Sequence, residues 1–148
     1  METLDASGER LGRTDYVCEL CLFVPKMDVS DSQDRVRYRL RPDTCCLGLC
    51  VRPRCGGSGG KCCTVPFLVR EPGTGKPVMT NHRVQSDEKF GVGDENAQVT
   101  QLWTGLKRCC TRKNAYALRF PANADSAMKA TLTGATLLVD LSFTESDS

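Results

Sequence analysis

Val99-Thr-Gln-Leu-Trp103-Thr-Gly105, then Asn114-Ala-Tyr-Ala-Leu-Arg-Phe120-Pro121, then Met128-Lys-Ala-Thr-Leu-Thr-Gly134-Ala-Thr-Leu-Leu-Val139-Asp140 follow one another through the last third of this chain. The first two carry strands, at Gln98–Trp103 and Ala115–Phe120, short runs bounded by turn residues. The third has a different period. Met128, Thr131, Leu132, Ala135, Leu138 and Val139 recur at helical spacing, and Leu137 with Leu141 widens the apolar face. Asp125 or Ser126 is placed to cap its exposed N–H groups. Gly134 and the threonines lower helix propensity, so a late strand over Thr136 to Phe143 is the competing reading. A helix apolar on nearly all sides is buried in protein or in lipid. Lys129 and Asp140 would be costly at a bilayer centre, so Leu132, Ala135, Leu138 and Val139 are expected to pack inside protein.

Working outward, Arg35-Val-Arg-Tyr-Arg-Leu-Arg41 alternates without exception, with Val36, Tyr38 and Leu40 on one face and four arginines on the other. Alternation also begins at Tyr16 and runs through Leu22 to Pro25. Asp28 to Asp34 reads as a turn by composition. Strand character returns over Cys63–Arg70. Glu71-Pro-Gly-Thr-Gly-Lys-Pro77 is a hairpin loop, Val78 to Val84 would pair back, and Ser86 to Asn96 reads as a long loop. Residues up to Arg13 are polar and read as a flexible lead-in. The fold class is therefore mainly β, with one C-terminal hydrophobic helix.

The order and spacing of Trp103-x-Gly105, Phe120-Pro121 and Met128-Lys-Ala130, Gly134, Leu138, Asp140 resemble the C-terminal half of the phospholipid scramblase family. The resemblance is close from Val99 to Glu145 and looser from Tyr16 to Val69. It implies a tubby-like antiparallel β-barrel enclosing a C-terminal helix, here partial, over residues 14–145 and without the N-terminal part of the family domain. It also implies ATP-independent, bidirectional movement of phospholipids between membrane leaflets at the cytoplasmic face of the plasma membrane.

In that family an acidic loop before Phe-Pro supplies oxygen ligands for calcium, as a hard cation requires. On the matching stretch of this chain, Arg112 and Asn114 stand at two aspartate positions, Ala115 at an asparagine and Asn123 at a later aspartate. Asn114, Asn123 and Asp125 are the remaining oxygen donors, beside Arg112 and Lys113. One carboxylate among cations makes a poor calcium site, and a basic turn is the simpler reading.

The chain has 148 residues, ten cysteines and a formal net charge of +2. One domain is expected. The near balance of charge excludes a nucleic-acid-binding polycation and a disordered acidic tail. No run approaches the roughly 20 apolar residues of a simple membrane span. The first residues lack the basic and apolar regions of a secretory signal, so a disulfide framework is not expected.

The clustered thiols admit three readings. Cys45, Cys46, Cys62 and Cys63, beside Arg52, Arg54 and Lys61, suit S-acylation (palmitoylation) at an anionic membrane face, where two acyl chains hold stably and one marginally. Thiolates could instead bind zinc, as at Cys18-x-x-Cys21. The plainest reading is small buried hydrophobes. His82, the only histidine, has no triad to complete, so no enzyme is expected. Arg35, Arg37, Arg39 and Arg41 are either a solvated sheet face or a contact for phospholipid headgroups, each worth about 1 kcal/mol near an anionic surface. The expected partners are membrane phospholipids. The alternative to transport is a peripheral lipid-binding or adaptor module.

Overall fold

A computed structural model describes residues 1–17, 24–42, 44–45, 50–51, 65–81, 95–102 and 115–144. The elements are β1 (Glu2–Leu4), β2 (Arg10–Tyr16), β3 (Met27–Asp31), β4 (Val36–Pro42), β5 (Thr44–Cys45), β6 (Cys50–Val51), β7 (Val65–Arg70), β8 (Gln98–Leu102), β9 (Ala115–Arg119) and helix α1 (Ser126–Thr144). Seven strands form one antiparallel sheet in the order β1-β2-β3-β4-β7-β8-β9, while β5 and β6 pair separately. The sheet curls around α1 as a half-barrel. Strands β1, β2 and β3 at one end and β9 at the other all contact the helix, and β1 and β9 are the outermost strands of the sheet among the described residues.

Alternation decides which side chains meet the helix. Cross-strand rows carry Thr14, Val29 and Tyr38, then Met27, Leu40 and Val69, then Phe67, Val99 and Leu118. These rows supply most of the core, completed by Met128, Leu132, Ala135 and Val139 from α1. The opposite face of the β7–β8 pair is also buried at Pro66, Leu68, Gln98 and Thr100. Such two-sided burial explains why Val65–Arg70 reads as a continuous apolar run rather than an alternating one.

Helix α1 runs unbroken to Thr144, so the competing strand over Thr136 to Phe143 does not form. The hydroxyls that lower its intrinsic propensity are satisfied inside it. Thr131, Thr133, Thr136 and Ser142 each donate to the carbonyl four residues back, at 2.8–3.0 Å. Thr131 and Thr136 are buried, where an unmade hydrogen bond would cost about 1–3 kcal/mol each. Asp125 caps the first turn, its Oδ1 accepting the Met128 N–H at 2.8 Å.

Burial along the helix is one-sided. Leu132, Ala135 and Val139 are fully enclosed, but Leu138, expected beside them, is half-buried against the edge of the core. Leu137 and Leu141 are 56% and 54% exposed. An open half-barrel covers one side of a helix, and these leucines lie on the other.

The polar lead-in expected up to Arg13 instead forms β1 and most of β2, and it packs directly on α1. The core-facing positions of β2 are Gly12 and Thr14, both buried, small residues that hydropathy does not flag. The turn expected over Asp28 to Asp34 is shorter. Asp28 to Asp31 belong to β3, where Met27 and Val29 face the core, and only the residues after Asp31 turn. Arg35 precedes β4 rather than opening it.

The β1–β2 and β3–β4 hairpins share one loop geometry. Asp5 Oδ1 accepts the N–H groups of Ser7 and Glu9 at 2.8 and 2.9 Å, and Asp31 Oδ1 accepts those of Gln33 and Arg35 at 2.9 and 3.0 Å. Three residues beyond each aspartate the backbone is left-handed, at Gly8 (φ 86°) and at Asp34 (φ 60°). Asp34 is one of the few non-glycine residue types that tolerates this region.

After β7, the Glu71–Lys76 turn closes as expected, with the Glu71 N–H donating to the Lys76 carbonyl at 3.0 Å. The return is two isolated bridges, Arg70 to Pro77 and Met79 to Asn96, rather than a full strand. Residues 82–84 of the expected strand, residues 18–22 of the run from Tyr16, and most of the expected 86–96 loop lie outside the described residues.

Candidate functional site

The β3–β4 turn and the N-terminus of α1 meet at the rim of the half-barrel. Between them is a solvent-open cleft of about 260 Å³ lined by Asp31 to Gln33, Arg35, Arg37, Tyr38, Asn123 to Asp125 and Met128. Two groups of sequence candidates meet here: Arg35 and Arg37 from the arginine row, and Asn123 and Asp125 from the loop matched to the calcium pattern.

The arginine row is divided by Asp28. Arg41 Nη2 lies 2.9 Å from Asp28 Oδ1, and Arg39 Nε lies 3.5 Å from the same oxygen. Arg41 also donates to the carbonyls of Met27 and Leu40 at 3.2 Å. These two arginines stitch β3 to β4. Arg35 is half committed, its Nε 3.5 Å from Asp31 Oδ2 and its Nη2 donating to Gln33 Oε1. Arg37 is exposed and makes no hydrogen bond or ion pair among the described residues. Of the four predicted headgroup residues, the cleft therefore holds two.

The two carboxylates differ in the same way. The backbone N–H of Arg35 chiefly holds the Asp31 carboxyl below its ordinary value of 3.8, assisted by Gln33 N–H and by the charges of Arg35 and Arg37, against an opposing effect of burial. Asp125 uses Oδ1 for its cap, while Oδ2 has no partner among the described residues. Tyr38 lies within electrostatic reach of both free charges. Burial raises its phenol above the usual value of 10.0, Arg37 opposes this and Asp125 adds to it.

Among the described residues, no group of three His, Cys, Asp or Glu side chains is arranged to hold a metal ion. Asn114, the third oxygen donor of the calcium reading, lies outside them. So do Cys46, Cys62, Cys63, Cys18, Cys21 and His82. Cys45 lies in β5 with Cys50 as its register partner in β6. Sequence reasoning did not single out Asp31, Tyr38 or Met128 as site residues. The signal for Asp31 was present in the Asp-Ser-Gln-Asp turn, but its meeting with Asp125 is a tertiary fact.

Fold and site together define a class: an antiparallel β half-barrel wrapped on a hydrophobic C-terminal helix, with a charged cleft at its rim. The scramblase family model matches residues 61–146, which span β7, β8, β9 and α1, and the chain belongs to the scramblase family. Of the looser similarity expected over Tyr16 to Val69, the part before Lys61 falls outside the match. The cleft thus joins a wall from outside the matched region to one from within it. No curated protein and no solved structure matches the chain.

Proposed function

We propose that this chain acts on membrane phospholipids at the cytoplasmic face of the plasma membrane, as an ATP-independent scramblase that moves them in both directions between leaflets. The observation that carries this reading is the family match. The charged cleft at the rim, with Arg37 unpaired among the described residues, supports headgroup contact. The role involves no covalent chemistry. Calcium binding is weak, because Arg35 and Arg37 stand beside Asn123 and Asp125 and repel a divalent cation. Acylation of Cys45, Cys46, Cys62 and Cys63 supplies the stable anchor, as paired chains hold where one does not. Zinc bound by cysteines is the competing use of those thiols.

A second reading, a peripheral lipid-binding or adaptor module without transport, is favoured by one observation. Leu132, Ala135 and Val139 of α1 are fully buried in the protein core, so that face is committed to protein and not to lipid. No described helix is long and apolar enough to cross a membrane.

Reconstitution into vesicles carrying fluorescent phospholipids separates the two. Transport predicts loss of leaflet asymmetry without ATP and with little change on adding calcium. Binding to vesicles with asymmetry preserved would leave the peripheral module.

A further inference from the structure

The rim cleft offers both signs of charge to a single ligand. On the positive side stand Arg37, unpaired among the described residues, and the half-committed Arg35. On the negative side stands Asp125, whose Oδ2 has no partner among the described residues, since Asp31 is occupied by backbone N–H groups. Tyr38 lines the same cleft, and the buried side chain of Met128 contributes an apolar surface.

These charges discriminate among occupants. A bare divalent cation would meet two guanidinium groups. A simple phosphate would meet the Asp125 carboxylate. A ligand with an anionic and a cationic end satisfies both walls. The volume agrees, because about 260 Å³ lies below the ~300 Å³ at which pockets begin to enclose drug-sized molecules. It suits a small polar group.

We propose that this cleft is a binding site for a phosphodiester that carries an ammonium group, as in an ethanolamine-type phospholipid headgroup. Arg37 and Arg35 hold the phosphate through charge-assisted hydrogen bonds. The Asp125 carboxylate holds the ammonium, with the Tyr38 ring and hydroxyl beside it. The assignment rests on the lipid-binding reading above and specifies its ligand class.

The test is calorimetric titration of the full chain with glycerophosphoethanolamine and with glycerophosphoglycerol, which differ by the ammonium. The expected result is a preference of about tenfold for the ethanolamine ligand, the size of one charge-assisted interaction. Arg37→Ala should weaken both ligands. Asp125→Asn keeps the helix cap, since asparagine caps as well as aspartate, and should abolish the preference while leaving phosphate binding. Thermal melts of both variants confirm that they fold. Equal affinity for the two ligands, or a preference that survives Asp125→Asn, overturns the proposal.

Competition with phosphatidylethanolamine vesicles identifies the source. Displacement of the chain from vesicles by glycerophosphoethanolamine supports a lipid headgroup, and soluble-ligand binding without vesicle binding supports a free phospho-amine at the same site. Phospholipid transport without headgroup preference would overturn the cleft assignment and leave the scramblase reading. Preference without any vesicle binding would do the reverse.

Discussion

The Oγ1 of Thr131 stands 2.5 Å from the point a Cβ on Gly12 would occupy, and the Ser30 carbonyl oxygen is 2.6 Å from it. Helix α1 therefore rests on the bare backbone of β2. A second close approach lies one turn along, where a Cβ on Gly134 would come within 2.9 Å of Thr3 Oγ1. Each contact pairs a glycine on one element with a threonine on the other. Together they seat the helix against the first two strands.

Gly12→Ala should destabilise the fold by about 1–3 kcal/mol, the usual cost of overpacking. Urea denaturation midpoints measure it. Adding Thr131→Ala should recover only part of the loss, because the Ser30 carbonyl remains in the way. Full recovery in the double variant would show that the helix, not the sheet, sets the spacing.

Along α1, Leu132→Ala should cost about 2–5 kcal/mol, since it empties a fully enclosed site. Leu137→Ala, on the exposed side, should stay within about 0.5 kcal/mol. Leu138→Ala should fall between them, matching its half-burial. Equal effects at Leu132 and Leu137 in chemical denaturation would contradict the one-sided packing.

Arg41 and Arg37 should separate structure from binding. The side chains of Arg41 and Asp28 are only 16% and 17% exposed. Arg41→Ala should therefore lower stability by about 1.5–3 kcal/mol, the worth of hydrogen bonds to a charged group. Arg37→Ala should leave the melting temperature unchanged and weaken attachment to anionic vesicles in sedimentation. The opposite pattern would reassign both residues.

Acid should open the two hairpin loops. Asp5 is held below its ordinary 3.8 first by the Ser7 hydroxyl and then by the Glu9 N–H. Asp31 is lowered chiefly by the Arg35 N–H. A carboxylate with a depressed folded pKa adds stability above its unfolded value and loses it as pH falls through the folded one. The loss attributable to these groups therefore begins near 3.8 and completes below it. Urea midpoints across that range should fall less steeply for Asp5→Asn and Asp31→Asn than for the native chain. Parallel curves would remove these carboxylates from the acid response.

Cysteine acylation predicts a cellular result. Replacing Cys45, Cys46, Cys62 and Cys63 with serine should move the protein from the membrane fraction to the soluble one. A quadruple variant that stays membrane-bound would place the anchor elsewhere.

The strand at Val36–Pro42 and the helix at Ser126–Thr144 were legible because each follows a local rule. Val36, Tyr38 and Leu40 repeat every second residue, and Leu132, Ala135 and Val139 repeat at the pitch of a helix. The Asp125 cap is equally local, a carboxylate three residues from the N–H it accepts. The first two strands left no such mark. Their buried positions are Gly12 and Thr14, selected for small size against a helix more than 100 residues away, and hydropathy does not register a close approach. The cleft was hidden for the same reason. Arginines and carboxylates read as surface charge wherever they occur, and only the curl of the sheet around α1 brings Arg37 and Tyr38 to Asp125. Periodicity, caps and the family pattern are properties of neighbours along the chain and belong to the sequence alone. The one-sided burial of α1, the division of the arginine row by Asp28 and the mixed charge of the cleft depend on groups distant in sequence, so only tertiary packing could decide them.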